Sequence, residues 1–179
     1  MSLSKIRFCI LSIIVFFTLF EGVLLTKYQK ISLAQLSKNN QIKMQLEDEK
    51  VFLTNEEQET LDLINKYRKK QNLEELKPLA CLQNIAKIKA EDLVQNYYFS
   101  HTSANLGTPF EMLESNGVYY KIAGENLAGN ANPQKAVEAW INSKEHRDNI
   151  LKQNFNYTGI CVIDSPIYGK VFVQLFIGI

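Results

Sequence analysis

The chain has 179 residues, with 20 Lys and Arg against 19 Asp and Glu, which gives a net charge of +1 at neutral pH. This length accommodates one domain with a substantial core plus a leader, but not two domains of ordinary size. The balanced charge gives no electrostatic reason for binding to a phosphate backbone, so we expect no nucleic-acid partner.

The N-terminal segment has the pattern of an export signal. Lys5 and Arg7 form a positive flank, and an almost uninterrupted apolar run follows over residues 8–25. That run approaches the roughly 20 residues that span a bilayer. Residues 1–26 are therefore interpreted as a hydrophobic helix that is either a signal peptide or a single-pass membrane anchor. An uncleaved anchor is preferred, since the nearest small-residue cleavage sequence ends at Ala34, far beyond the apolar run.

A polar stalk and two helices follow. Residues 27–53 are rich in Gln, Asn, Lys and Glu and lack a regular apolar stripe, which is typical of a linker. A capping-box pattern at Thr54 predicts that the folded domain begins there, with a helix that ends near Gln71. A second helix is predicted from about Leu79 to Asn96, because its apolar residues recur at helical spacing.

Three more helical segments and one strand are predicted before the C-terminus. Pro109 marks the first turn of a short third helix, and residues 118–122 form a candidate strand. Asn132 opens a fourth helix, in which the single tryptophan, Trp140, is interpreted as a core anchor. Residues 146–151 are predicted to form a short helical turn.

The last segment changes to the two-residue period of β-strands. Residues 159–163 and 170–177 are rich in Ile, Val and Phe and are separated by a turn around Pro166, which predicts a β-hairpin. Helices that flank a small, mostly antiparallel sheet give an α+β domain over residues 54–179.

Two cysteines fall within the predicted domain. Export would place Cys81 and Cys161 in a compartment where disulfides form. Both also have apolar neighbours, as buried free thiols commonly do. The sequence leaves both alternatives open, since it does not give the distance between the two residues.

Two histidines and one acid are candidates for a polar site. His101 and His146, the only histidines of the chain, lie in polar, turn-like sequence, and histidine is the commonest metal ligand and general base. Glu125 follows a glycine in an otherwise apolar segment, so its carboxylate needs a partner if it is buried. The simpler alternatives are solvated surface histidines and an acid that bonds loop amides or pairs with Arg147.

Ser143 lies close to one of these histidines in sequence and admits two roles. As a helix N-cap it would accept a hydrogen bond from the amide near His146. As a hydrolase nucleophile it would need a Ser–His hydrogen bond and an oxyanion hole, for which the sequence gives no sign. We prefer the N-cap.

Four motifs occur in a fixed order between Thr54 and the C-terminus. They are Tyr98-Phe99-Ser100-His101-Thr102-Ser103, Gly124-Glu125-Asn126-Leu127-Ala128, Trp140-Ile141-Asn142-Ser143 with His146-Arg147 and Asn149-Ile150-Leu151, and Gln174-Leu175-Phe176-Ile177-Gly178. In these motifs the chain resembles the CAP superfamily, also called SCP-like, and within it the bacterial extracellular branch. The superfamily includes cysteine-rich secretory proteins, insect venom allergens and plant pathogenesis-related proteins.

The resemblance implies a three-layer α-β-α sandwich with a surface cleft where two histidines and two acids converge. His101, His146 and Glu125 match three of those positions. In animal and plant members a second Glu stands three residues after the Trp, and this chain has Ser143 there. The set is therefore incomplete, which argues against strong binding of a divalent metal.

Three functions are compatible with these residues. The first is a non-enzymatic extracellular binding module, anchored or secreted, whose ligand is a peptide, lipid, glycan or protein. The second is a metal-dependent hydrolase of cell-wall or extracellular material, in which His101, His146 and Glu125 hold zinc or another divalent cation and leave one position for water. The third is a buried hydrogen-bond network with a purely structural role. The missing second acid favours the first, and no catalytic residue is assigned.

Overall fold

The computed structural model describes residues 51–179. The predicted signal peptide or anchor and nearly all of the predicted stalk lie outside the described residues, so both stay predictions. Within residues 51–179, no helix combines the length and the hydropathy that a membrane span requires.

Five helices and four strands make up the described part of the chain. In chain order they are α1 (Asn55–Lys70), β1 (Lys77–Pro78), α2 (Ala80–Gln95), α3 (Pro109–Ser115), β2 (Ile122–Asn130), α4 (Pro133–Asn142), α5 (Lys144–Ile150), β3 (Tyr157–Ser165) and β4 (Gly169–Gly178). The strands form one sheet in the order β1-β3-β4-β2, in which only the β1–β3 pair is parallel. The mixed composition and the mostly antiparallel sheet agree with the predicted fold class.

The sheet divides the core into two clusters. Alternate residues of a strand point to opposite faces. On β4, Val173 and Leu175 join a cluster with α2 and α3, whereas Phe172 and Phe176 join a cluster with α1, α4 and α5. We call the side covered by α2 and α3 the first face, and the side covered by α1, α4 and α5 the second face.

The start of α1 has the capping box that the sequence predicts. The hydroxyl of Thr54 accepts from the amide of Glu57 at 3.3 Å, and the Glu57 carboxylate accepts from the amide of Thr54 at 2.8 Å. This reciprocal pair confirms the predicted capping box. The second carboxylate oxygen of Glu57 accepts from the amide of Val162 at 3.3 Å, so the cap also ties α1 to β3.

Two packing contacts fix how the helices meet the sheet. Trp140 is fully buried and its indole N–H donates to the carbonyl of Leu127 at 2.9 Å, which confirms it as a core anchor. Gly159 lets α2 touch β3 through the backbone, since a Cβ there would lie 2.2 Å from the carbonyl carbon of Leu82. Only glycine, which has no Cβ, leaves room for this close contact between the two backbones.

The strand predicted at residues 118–122 is wrong. These residues follow α3 directly, and the amide of Val118 is used to close that helix by bonding the carbonyl of Leu113 at 3.0 Å. The strand that pairs with β4 is β2, which starts at Ile122 and contains two buried polar side chains, Glu125 and Asn126. Its glycines and polar residues conceal it from a pattern based on apolar content. The two-residue strand β1 is a further strand that the sequence pattern does not predict.

Cys81 and Cys161 are not joined by a disulfide in the described chain. Burial of Cys161 raises the pKa of its thiol to about 12, so the group is a protonated thiol at neutral pH. Of the two alternatives, the structure therefore has no bridge between Cys81 and Cys161.

Candidate functional site

Two buried side chains of α2 hold the loop that carries His101. Lys89 is fully buried, and its ammonium donates to the hydroxyl of Tyr98 and to the carbonyl oxygen of His101, each at 3.0 Å. The Tyr98 hydroxyl in turn donates to the carboxylate of Asp92. The backbone is thus anchored on both sides of Phe99, and the position of His101 is set from the core.

Burial and charge together set the ionisation of this cluster. Burial lowers the pKa of Lys89, although Glu125 and Asp92 oppose the effect. Burial also raises the pKa of Tyr98 to about 12, with a contribution from its bond to Asp92, so the hydroxyl remains a donor. For Asp92, burial acts to raise the pKa, but hydrogen bonds from Tyr98 and three other side chains bring it below its usual value. The cluster therefore places a buried ammonium between two carboxylates.

Glu125 and His101 form the centre of the site. The Glu125 side chain is only 2% exposed, and its Oε1 lies 2.7 Å from Nδ1 of His101, whose side chain is 54% exposed. Within the described residues no group donates a hydrogen bond to Oε2, which is also buried. Burial raises the pKa of Glu125, while the bond to His101 and the charge of Lys89 oppose the rise. The site thus contains a buried carboxylate with a hydrogen-bond partner for only one of its two oxygens. That partner, the His101 imidazole, is itself half exposed to solvent.

The backbone of His146 is held against the second face of β2. Asn126, which points to the second face and is fully buried, donates to the carbonyl of His146 at 3.1 Å. Asn149 donates to Oδ1 of Asn126 at 3.0 Å and to the carbonyl of Glu125 at 3.2 Å. Gly124 permits this docking, since a Cβ there would lie 3.2 Å from Oδ1 of Asn149. These hydrogen bonds of the asparagine side chains fix α5 against β2, the edge strand of the sheet.

The charge of His101 affects the titration of His146. Burial lowers the pKa of His146, and the charge of His101 lowers it further, while Glu145 acts in the opposite direction. His146 is therefore favoured as a neutral imidazole at neutral pH. The structure brings His101 and Glu125 into direct contact and places His146 within electrostatic range of His101.

Ser143 takes the predicted N-cap position without the predicted cap bond, and the alternative pairing of Glu125 with Arg147 does not occur. Ser143 occupies the N-cap position of α5, but its hydroxyl donates to the carboxylate of Glu145 at 3.1 Å and makes no cap bond. Arg147 donates to the carbonyl of Ile141 at 2.8 Å, at the end of α4, and not to Glu125. The acid next to Ser143 competes for its hydroxyl, and the α4–α5 junction supplies a nearer acceptor for the guanidinium.

The arrangement does not fit a closed metal centre. No group of three or more His, Cys, Asp or Glu side chains in residues 51–179 is placed to hold a metal ion. A hydrolytic zinc site needs three protein ligands and a water. Here Oε1 of Glu125 and Nδ1 of His101 face each other at hydrogen-bond distance, which leaves no place for an ion between those two atoms. Metal binding by His101, Glu125 and His146 stays a prediction.

Lys89 is the site residue that the sequence reasoning missed. It lies four residues after Ile85 and four before Leu93, on the buried stripe of α2. A basic residue within such an apolar stripe indicates a buried charge that must have partners. That spacing was the available signal.

Comparisons with known proteins agree with the overall fold. The family model described as CAP: Cysteine-rich secretory protein family matches residues 61–176. The uncharacterized protein YkwD of Bacillus subtilis is 41% identical over 123 residues, which are 68% of this chain and 47% of YkwD. The crystal structure of an extracellular protein containing a SCP domain from Bacillus anthracis is 31% identical, with a TM-score of 0.65 over 73% of this chain and 45% of that one.

A third comparison extends beyond Bacillus. An outer surface protein from Borrelia burgdorferi has a TM-score of 0.66 and 25% identity over 73% of this chain and 97% of that chain. The present chain spans about half the length of the two Bacillus proteins. Since the family model covers more than half of the chain and the solved structures share its fold, the chain belongs to the cysteine-rich secretory protein (CAP) family.

Proposed function

We propose that this chain is an exported, non-enzymatic binding module whose ligand contacts His101, Glu125 and His146. The observation that carries the proposal is the unpaired, buried Oε2 of Glu125, next to an imidazole that is half exposed. A buried acceptor without a donor costs about 1–3 kcal/mol. Buried groups that lack a partner are concentrated at functional sites, where local packing rules are broken.

The neighbouring residue on β2 supports a binding role over a structural one. Asn126 is equally buried, and both its amide nitrogen and its amide oxygen are bonded, to His146 and Asn149. A structural polar network stabilises a fold when every member is satisfied. Asn126 meets that condition, whereas Glu125 does not.

Export is supported by the sequence and by the relatives. The apolar run with its positive flank predicts a signal or anchor over residues 1–26, for which we prefer the anchor. Two similar structures come from proteins named as extracellular and as an outer surface protein. We therefore place the domain outside the membrane, tethered by its N-terminal segment or released from it.

A metal-dependent hydrolase is the weaker alternative. It would need three protein ligands around one ion, and no such cluster occurs within the described residues. Binding of an organic ligand requires only the donors and acceptors that His101, Glu125 and His146 provide.

The proposal is tested by NMR of the two histidines, the only ones in the chain. The full-length protein is prepared without a histidine tag, and its imidazole signals are assigned with His101→Gln and His146→Gln. Three probes are titrated: hexaalanine, palmitate and the N-acetylglucosamine hexasaccharide. We expect at least one probe to shift both signals saturably. If none of them shifts either signal, this site is not a binding site for these ligand classes and the proposal fails.

A further inference from the structure

Three large apolar residues are exposed together at the tip of the C-terminal hairpin. Ile167 and Tyr168 lie in the turn between β3 and β4. The ring of Phe99 packs beside that of Tyr168, with 5.0 Å between the ring centroids. Each of the three residues is at least 40% exposed. Turns normally consist of polar residues, and clustered exposed apolar side chains mark contact sites for proteins or membranes.

The cluster lies at the end of the sheet where α1 begins. The carboxylate of Glu56, in the first turn of α1, lies 3.0 Å from the ammonium of Lys170, the second residue of β4. Its neighbour Glu57 accepts from the amide of Val162, near the end of β3, at 3.3 Å. Just before the N-cap of α1, Phe52 is 75% exposed and adds a fourth large apolar residue. We call Phe52, Phe99, Ile167 and Tyr168 the apolar tip.

The turn of the apolar tip is held in one conformation. The hydroxyl of Ser165 accepts from the amides of Ile167 and Tyr168, each at 3.3 Å, and closes the turn. The Tyr168 ring covers Gly129 of β2, where a Cβ would lie 2.8 Å from the Cγ atom of the tyrosine. The loop that supplies the second ring is anchored to the core by the buried ammonium of Lys89. A surface formed in advance loses little conformational entropy when it makes a contact.

The predicted anchor connects a bilayer to this end of the domain. Residues 1–26 are predicted to hold the chain in the membrane, and residues 27–53 are predicted to form the stalk. With an uncleaved anchor, the connection from the bilayer leads into α1, whose start lies beside the apolar tip. A tether raises the effective concentration of the domain at the membrane, so weak contacts suffice to keep one surface docked there.

The composition of the apolar tip fits a bilayer surface better than a protein partner. Isoleucine and phenylalanine side chains partition into the boundary of the hydrocarbon, and tyrosine is enriched where hydrocarbon meets water. A stable protein–protein interface uses about 20–30 residues on each side, far more than the four of the apolar tip. The lysine that follows the turn, Lys170, is already paired with Asp164 at 2.7 Å and with Glu56 at 3.0 Å. The contact is therefore apolar and does not depend on anionic headgroups.

We propose that the apolar tip docks on the bilayer that holds the predicted anchor, with Ile167 and Tyr168 inserted at the headgroup boundary. The inference goes beyond the proposed ligand site and shares only the predicted anchor with the proposed function. Docking gives the domain one orientation at the membrane. Tyr119, which precedes β2 at the opposite end of the sheet, then lies away from the lipid.

The test measures how close the apolar tip lies to lipid, with the full-length chain in phosphatidylcholine nanodiscs. The tyrosines carry fluorine, and the NMR signals of Tyr168 and Tyr119 are assigned with Tyr168→Phe and Tyr119→Phe. The probe is a phosphatidylcholine with a nitroxide near the headgroup end of its acyl chain. We expect this lipid to broaden the Tyr168 signal strongly. The signal of Tyr119, which is 47% exposed, should stay nearly unchanged.

Two substitutions of exposed isoleucines form a matched pair. Ile167→Asp places a charge at the apolar tip and removes an apolar contact with lipid, so it should reduce the broadening of Tyr168 at least about fivefold. Ile88→Asp adds the same charge on α2, where the residue is 41% exposed. It should leave the broadening of Tyr168 within about twofold of that in the parent chain.

Three results would overturn the inference. The first is a full-length chain that does not stay with the nanodiscs, which would refute the predicted anchor as well. The second is equal broadening of Tyr168 and Tyr119 in the parent chain, which would refute docking and leave the anchor and the ligand site untouched. The third is a Tyr168 signal that shifts with the number of chains per nanodisc and is not broadened by the nitroxide lipid. The apolar tip would then contact a second copy of the chain.

Discussion

Replacement of Lys89 by methionine tests whether a buried ammonium holds the loop of the site. Lys89 is fully buried and donates to Tyr98 and to the His101 carbonyl at 3.0 Å each, with Glu125 and Asp92 as its countercharges. Methionine retains an unbranched apolar side chain of similar shape. The substitution leaves the carbonyl without its donor and the buried carboxylates without their cation.

The size of the effect follows from these contacts. Removal of one partner of a buried charge pair costs about 3–5 kcal/mol, and a hydrogen bond to a charged group contributes about 1.5–3 kcal/mol. Part of this loss is offset, since a methionine is easier to bury than an ammonium whose pKa is already lowered by burial. We therefore expect Lys89→Met to lower the free energy of unfolding by about 3 kcal/mol at neutral pH.

Urea unfolding followed by the fluorescence of the buried Trp140 measures this change. The matched control is Lys87→Met on the same helix, where the lysine side chain is 64% exposed and contacts Glu91 only at 3.9 Å. The control should change the free energy of unfolding by no more than about 0.5 kcal/mol. If Lys89→Met is no more destabilising than Lys87→Met, the buried ammonium does not stabilise the loop as described.

Two further predictions concern the second histidine and the closest helix–sheet contact. The His146 imidazole should titrate in NMR with a midpoint below its ordinary pKa of 6.5, since burial and the charge of His101 both lower that pKa. The variant His101→Gln removes the charge and should move the midpoint upward. A midpoint at or above 6.5 in the parent chain would contradict this prediction. Gly159→Ala should lower the free energy of unfolding by at least about 3 kcal/mol, because the added Cβ would lie 2.2 Å from the carbonyl carbon of Leu82. Gly117→Ala is the control, because its Cβ would meet nothing within 4 Å. Only the positive φ of 70° is strained there, at a cost of about 1 kcal/mol. Equal losses of unfolding free energy in Gly159→Ala and Gly117→Ala would refute the packing argument.

Elements with strong local signals were predictable from the sequence. The capping box at Thr54 and the proline at the first turn of α3 mark helix starts that the structure reproduces. The C-terminal hairpin was recognisable from its β-branched and aromatic residues. Strand β2 was missed because Gly124, Glu125 and Asn126 do not have the composition of a strand. These residues are extended because they pair with β4, and because Glu125 contacts His101 on one face while Asn126 contacts α5 on the other.

The members of the site were predictable, but their arrangement was not. The ordered motifs single out His101, Glu125 and His146, and the structure joins the first two by a 2.7 Å contact. Which oxygen of Glu125 remains unpaired depends on atomic positions that no sequence pattern encodes. Lys89 is not predicted by these motifs, because the buried stripe of α2 is defined by its apolar residues.

Zinc titration most directly decides between an organic ligand and a metal at this site. Isothermal titration calorimetry and elemental analysis are applied to the full-length parent chain and to His101→Ala. We predict no tight one-to-one zinc binding that depends on His101, because residues 51–179 bring no three suitable ligands together. One equivalent of tightly bound zinc in the parent chain, lost in His101→Ala, would contradict this and would favour the metal-dependent hydrolase.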